Sequence, residues 1–136
     1  MYLLDTNVLS ELRRRDRTDP KVAAWADSVH SSDLFLSAIT ILEIEAGTLL
    51  IERRDAAQGA VLRAWLEERI LPAFEGRILP VDTQVARRCA GLHVPNPRAE
   101  RDALIAATAL VHRLTLVTRN VADFRPMGLE PINPWE

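Results

Sequence analysis

Four acids stand where the chain could use them for chemistry. Tyr2-Leu3-Leu4 is a short apolar run of the kind a buried strand uses; it stops on Asp5, and Thr6-Asn7 follow, residues suited to opening a helix. Asp123 lies just beyond a later run, Leu114 to Thr118, and Asp102 enters the first turns of the helical stretch leading into that run. Glu43 follows a third run, Asp33-Leu34-Phe35-Leu36-Ser37-Ala38, by one to two helical turns, and helical spacing puts it on the inward side with Ile39, Leu42, Ala46, Leu49 and Leu50. Parallel strands place their carboxyl ends on one edge of a sheet, which is where open α/β sheets bind ligands. Carboxylates gathered there repel one another and resist ionisation unless a cation compensates. Mg²⁺, with Mn²⁺ as a substitute, is the natural cation, since both prefer oxygen ligands, and the chemistry expected is hydrolysis of a phosphate ester by metal-activated water.

Each acid also has a plainer use. Asp5 and Asp123 suit helix caps, Thr40-Ile41-Leu42-Glu43 fits a capping box, and Asp102 could serve the helix dipole and pair with Arg98. Asp82 also follows a strand-like run, but Asp-Thr-Gln suits an N-cap and Pro80 demotes that strand to an edge, so it is left out of the set. Thr118 and Asn120, with short polar side chains, are expected to hold the loop and the Asp5 or Asp123 carboxylates. His30, His93 and His112 each fall near a helix end, lack metal-ligand spacing and are expected at the surface. There is no Gly-rich phosphate loop and no nucleophile elbow.

The elements that must position these residues alternate along the chain. After the first strand, a helix capped by Thr6 or Asn7 runs to the arginines at 13–15. Asp19-Pro20 opens a second helix, and its stripe of Val22, Trp25, Ala26 and Val29 places Trp25 in the core. From Ile39 to about Arg53 the pattern is helical, with Glu45, Thr48 and Glu52 on the wet face. Gln58-Gly59 loosens the chain before another helix that stops ahead of Pro72. An edge strand at 77–81, a helix carrying Val85, Ala86, Cys89 and Leu92, a helix from about Arg98 to His112 and the strand at 114–118 follow; residues 131–135 suggest a short last strand. The pattern predicts an α/β fold: a small parallel sheet with helices on both faces.

At 136 residues the chain fits one domain, 1–136. No segment approaches the ~18 consecutive apolar residues of a membrane span, and the first apolar run is too short for a signal peptide, so a cytoplasmic protein is expected. Cys89, the single cysteine, rules out an internal disulfide and reads as a buried thiol. The net charge of −2 supplies no global positive field for nucleic acid. The cations are nearly all arginine, which suits bidentate phosphate contacts, although paired arginines on solvated helix faces need no ligand.

Leu4-Asp5-Thr6-Asn7, Ser37-Ala38-Ile39-Thr40 leading to Glu43, Asp102 before Ile105-Ala106-Ala107-Thr108-Ala109, and Thr118-Arg119-Asn120-Val121-Ala122-Asp123-Phe124 together resemble PIN-domain ribonucleases. The likeness is to VapC-type toxins of bacterial toxin–antitoxin pairs, including the FitB-like branch with its terminal Asn-Pro-Trp, and it spans essentially the whole chain. The resemblance implies a PIN-like three-layer fold and a magnesium- or manganese-dependent endoribonuclease. Asp5, Asp102 and Asp123 would surround the metal, Glu43 would reach it directly or through water, and Thr6, Thr118 and Asn120 would support the site. It also implies a homodimer and a cognate antitoxin that wraps the toxin and contacts operator DNA on its behalf. Members vary over whether the position of Asn120 or that of Asp123 supplies the last carboxylate. A haloacid-dehalogenase-type phosphatase also places an aspartate after its first strand, but its second aspartate is here Asn7, and Lys21 is the only lysine. A catalytically silent regulator is the other alternative, against which the retained carboxylates speak.

Overall fold

The computed structural model describes residues 1–136. Four parallel strands, β1 (Tyr2–Leu4), β2 (Leu34–Ser37), β3 (Ile78–Leu79) and β4 (Thr115–Val117), form one sheet in the order β3-β2-β1-β4. Tyr2 and Leu3 pair with Leu34 and Phe35 on one side, while Tyr2, Leu3 and Leu4 pair with Thr115, Leu116 and Val117 on the other. A strand central in a sheet covered on both faces reads as a continuous apolar run, which is why β1 has no polar alternation. Leu3 and Leu116 face a core built with Val85, Cys89, Ile105, Ala106 and Phe124. Leu4, Leu36 and Val117 face a second core with Val8, Leu9, Ile44, Leu66 and Ile70. The three layers expected from sequence are present.

The helices are α1 (Thr6–Leu12), α2 (Pro20–Asp27), α3 (Ala38–Arg54), α4 (Ala56–Ala64), α5 (Leu71–Ala73), α6 (Thr83–Leu92), α7 (Glu100–His112) and α8 (Val121–Phe124). Side chains predicted to cap them do so at Asp19, which accepts from the Lys21 N–H at 2.8 Å, and at Asp82, which accepts from Val85 N–H at 3.0 Å. α1 differs: Asp5 is its N-cap, and neither Thr6 nor Asn7 is. Helix α7 is apolar nearly all round because α6, α3, α8 and β4 pack against it. Pro80 follows β3 directly, and that strand is the sheet edge. The chain end adds a single parallel bridge, Ile132 to Val117, in place of the expected last strand.

The hairpin after β2 departs most from expectation. The break between α3 and α4 falls at Asp55 (φ −150°, ψ 98°), whose side chain caps α4 by accepting from Gln58 N–H at 3.1 Å. Gly59 is inside α4 and marks close packing: a Cβ there would lie 2.6 Å from Glu52 Cα. Beyond Ala64 the helix widens to π geometry over Trp65–Ile70 and runs through Pro72 to Ala73. The wider turn relieves the clash an interior proline makes with the preceding carbonyls. On α3, Leu42, Leu49 and Leu50 are exposed, whereas Thr48 is buried and donates to Ile44 O at 2.7 Å. The buried row is therefore Thr40, Ile44 and Thr48. Glu45 and Glu52 are gripped by Arg63 of α4, at 2.6 and 3.0 Å, rather than facing water.

Gly59→Ala is expected to cost roughly 1–3 kcal/mol through overpacking against the α3 backbone, outweighing alanine's helix preference of ~1 kcal/mol. A urea midpoint that does not fall would contradict the close approach.

Candidate active site

Asp5 directly follows β1 at the point where the sheet order reverses, with β2 on one side of that strand and β4 on the other. Its N–H donates to Val117 O at 2.9 Å, so the residue closes the ladder and its carboxylate stands at the sheet's carboxyl edge. The side chain is only 6 % exposed. It accepts from Thr6 N–H at 2.8 Å and from the Thr118 hydroxyl at 2.7 Å, with Asn7 Nδ2 at 3.4 Å. Burial still dominates: it pushes the Asp5 carboxyl above the ordinary aspartate range against the pull of these hydrogen bonds, and the nearby Asp102 and Glu43 charges push the same way.

Thr118 is the fully buried residue that follows β4. Besides donating to Asp5, its hydroxyl accepts from Asn120 N–H at 3.0 Å. Asn7 completes the tie, its Oδ1 accepting from Arg119 N–H at 3.3 Å. Asn120 thus contributes through its backbone, and no side-chain hydrogen bond holds Asp5 or Asp123 from it. Thr6, in the first turn of α1, donates its hydroxyl to Glu43 Oε1 at 2.7 Å and shares a 3.2 Å hydrogen bond with the Thr40 hydroxyl. Glu43 is therefore anchored across two elements and closes no capping box; Ser37 caps α3 instead.

Asp102 sits in the first turn of α7 and is half-buried; burial first, then the Asp123 and Glu43 charges, raise its pKa. Asp123, in α8, is exposed at the rim. The four predicted acids come from four elements: Asp102 feels the charges of the other three, and Asp5 and Glu43 feel each other. No cation is tightly paired with them; the nearest, Arg101, has Nη1 3.9 Å from Glu43 Oε2 and is more than half exposed. Asp102 makes no ion pair with Arg98. Uncompensated oxygen donors in a half-buried cluster fit a hard divalent cation. The cluster is open rather than a closed cage, since no three of these carboxylates bring oxygens within 4.8 Å of one another. Magnesium, which keeps several waters, suits such an opening.

The trio that does meet within 4.8 Å lies elsewhere, at Cys89, His93 and Glu100. His93 is half-buried, not a surface residue, unlike His30 and His112. Its Nδ1 accepts from Arg98 N–H at 3.0 Å, so the neutral ring carries its proton on Nε2, aimed at Glu100 Oε2 at 3.1 Å. A metal on Nε2 would need a proton on Nδ1 facing the Arg98 N–H. Burial, reinforced by Glu100, pushes the Cys89 thiol up as well. These contacts latch the α6–α7 connection and do not favour ligation.

The residues that sequence reasoning missed are Asn7 and Thr40. Thr40 stands one turn before Glu43 on the same helix face, which is a usable signal; Asn7 carries none until β4 is placed beside β1.

The PIN-domain family pattern matches residues 2–126. This chain belongs to the PIN-domain family. Within it, the chain is 42 % identical over 141 residues to Toxin FitB of Neisseria gonorrhoeae, covering 99 % of both proteins. It is 38 % identical to VapC ribonuclease Y4jK of Sinorhizobium fredii, covering 100 % of this chain and 99 % of that protein. The solved structure of FitAB bound to an IR36 DNA fragment superposes with a TM-score of 0.90 at 39 % identity, over 100 % of this chain and 96 % of that one. This PIN domain is therefore of the VapC type, in the FitB-like branch.

Proposed function

We propose that the chain, read as one PIN domain over residues 1–136, is a divalent-metal-dependent endoribonuclease that acts as the toxin of a type II toxin–antitoxin pair. The observation that carries this is the convergence of Asp5, Glu43, Asp102 and Asp123 with no cation closer than Arg101, 3.9 Å from Glu43. The relatives named as a toxin and as a VapC ribonuclease supply the substrate class.

Asp5, Asp102 and Asp123 would hold Mg²⁺, or Mn²⁺ in its place, with Glu43 reaching it directly or through water. When bound, the metal supplies Lewis-acid charge for the phosphate oxygens and acidifies water. The chain's own part is to fix the donors. Thr118 and Thr6 N–H hold Asp5 in one orientation, and the Thr6 hydroxyl holds Glu43 Oε1, while Oε2, with only the exposed Arg101 guanidinium 3.9 Å away, can take a proton or orient water. Hydrolysis adds water to phosphorus and breaks one P–O bond, the leaving oxygen departing with a proton.

The partners follow from the same kinship. A cognate antitoxin masks the site, and contact with operator DNA runs only through that antitoxin, in keeping with the FitAB–DNA relative. Exposed Leu42, Leu49 and Leu50 on α3 give a homodimer an apolar surface. A cytoplasmic location accords with the absence of any helix long and apolar enough to cross a membrane.

The test is end-labelled total RNA incubated with antitoxin-free protein and Mg²⁺, Mn²⁺ or EDTA. Discrete metal-dependent cuts are expected; cutting that persists in EDTA, or in an Asp5→Asn control, overturns the proposal. In the same assay Glu43→Gln should lower kcat/KM by on the order of 10²-fold. Glu45→Gln should leave it about unchanged, because Glu45 is turned to Arg63 on the far side of α3. Equal losses would remove the distinction between the two glutamates.

A further inference from the structure

A groove of about 490 Å³ opens at Thr6 and Glu43 and runs along α1 and α3. Two arginine–tryptophan stacks line it: the Arg13 guanidinium lies 5.9 Å from the Trp65 ring centre and that of Arg119 lies 5.0 Å from Trp135. Arg14 also lines it, and none of the three arginines is in an ion pair. Of the two acids along the groove, Glu43 belongs to the acidic site, and Glu11 accepts from Asp19 N–H at 2.8 Å. Burial and the neighbouring Arg14 draw the Arg13 guanidinium below its usual value, as uncompensated positive charge does. Arg119 also borders an adjoining hollow lined by Asn120, Asp123 and Arg125, so one side chain joins the groove to the exposed rim of the acidic cluster.

We propose that the Arg13–Trp65 and Arg119–Trp135 stacks form a track for single-stranded RNA flanking the cleaved bond, the arginines taking phosphates and the tryptophans stacking bases. The choice of RNA rests on the ribonuclease function proposed above. Basic side chains alternating with aromatic faces are how proteins hold single strands with little sequence preference. The groove's volume is in the range of a small-ligand cleft, a size suited to unpaired bases. A chain with net charge −2 has no general attraction for RNA, so local unpaired arginines must supply it.

The test measures binding of a 5′-fluorescein-labelled 12-nucleotide oligoadenylate to the full chain, free of other proteins and in EDTA, across a salt series. Arg13→Ala and Arg119→Ala should each raise Kd roughly tenfold and flatten the slope of log K against log salt by about 0.7, the increment for one phosphate contact on a single strand. Trp135→Leu should raise Kd roughly tenfold with the slope unchanged, and Trp135→Phe should restore binding. Oligonucleotide binding should also quench tryptophan emission, and a Trp65→Phe/Trp135→Phe chain should lose that quenching, because the remaining Trp25 packs edge-on against Tyr2 outside the groove.

Groove variants that bind like the parent while Arg88→Ala, on exposed α6, loses affinity would overturn the track. So would groove variants that keep oligonucleotide affinity but no longer bind the antitoxin, which would make the occupant a polypeptide. Binding that follows the predicted pattern in a protein that cuts no RNA with any metal would uphold the track and defeat the nuclease; cutting with indifferent groove variants would do the reverse.

Discussion

Asp5→Asn is expected to abolish RNA cleavage and, in EDTA, to raise the unfolding midpoint. Asparagine keeps an oxygen to accept from Thr6 N–H or the Thr118 hydroxyl and removes the charge. The activity loss should exceed about 10²-fold, the upper end of what outer-shell changes at metal sites typically cost. The stability gain follows from linkage. Burial and the Asp102 and Glu43 charges raise the Asp5 pKa in the folded chain above its value of 3.8 in an unfolded one. Between those two values the folded state binds more protons, so the stability this group contributes is fully present below pH 3.8 and is lost as pH rises through the folded pKa. At neutral pH the ionised side chain is a net cost, which a bound metal would offset and asparagine removes. Denaturation of both proteins in EDTA at several pH values should show them converging in acid and diverging, with the variant more stable, toward neutrality. A variant less stable at pH 7 would contradict the assignment of Asp5 as a strained carboxylate. Asp102, raised by burial and by Asp123 and Glu43, should leave a smaller residual slope in the variant.

Thr118→Val should be nearly as damaging, with no change in charge or volume to blame. The hydroxyl is fully buried, donates to Asp5 Oδ2 at 2.7 Å and accepts from Asn120 N–H at 3.0 Å. Valine leaves the Asn120 N–H unpaired and Asp5 Oδ2 with only the long 3.4 Å contact from Asn7 Nδ2, a loss of roughly 1–3 kcal/mol. It also removes the strongest interaction that lowers the Asp5 pKa, so the acid limb of the pH–rate profile should move to higher pH. Thr118→Ser should restore both. Combined with Asp5→Asn, the loss should be non-additive by roughly 0.5–3 kcal/mol, since the two side chains share one hydrogen bond. An unmoved pH profile in Thr118→Val would separate it from Asp5 function.

The acidic edge was legible because it follows from strand order. A buried run that stops on aspartate, in a chain of alternating strands and helices, leaves Asp5 nowhere to go but the carboxyl edge, and Pro80 told which strand could not be central. The α3 face was not legible in the same way. Helical periodicity ranks residues by apolarity, yet a threonine can be buried cheaply when its hydroxyl returns to its own helix, as Thr48 does to Ile44 O. The spacing therefore places inward three leucines that are exposed, while Thr40 and Thr48, with Ile44, form the buried row. The same spacing turns Glu45 and Glu52 to water, because their partner, Arg63, lies in the next helix and no spacing within α3 reveals it. Likewise His93 and Glu100 meet only through the turn between α6 and α7.

The hydrogen bond from Thr118 to Asp5 joins residues separated by 113 positions. During synthesis the first strand leaves the ribosome long before the strand that must lie beside it, and at ~5–20 residues per second the delay is roughly 6–23 s. For most of that interval a nascent chain holds Asp5 without Asp102, Thr118 or Asp123, so the acidic cluster cannot yet form. Late closure of a non-local sheet, ordinarily a handicap in folding, here means that the four acids come together only once the chain is nearly complete.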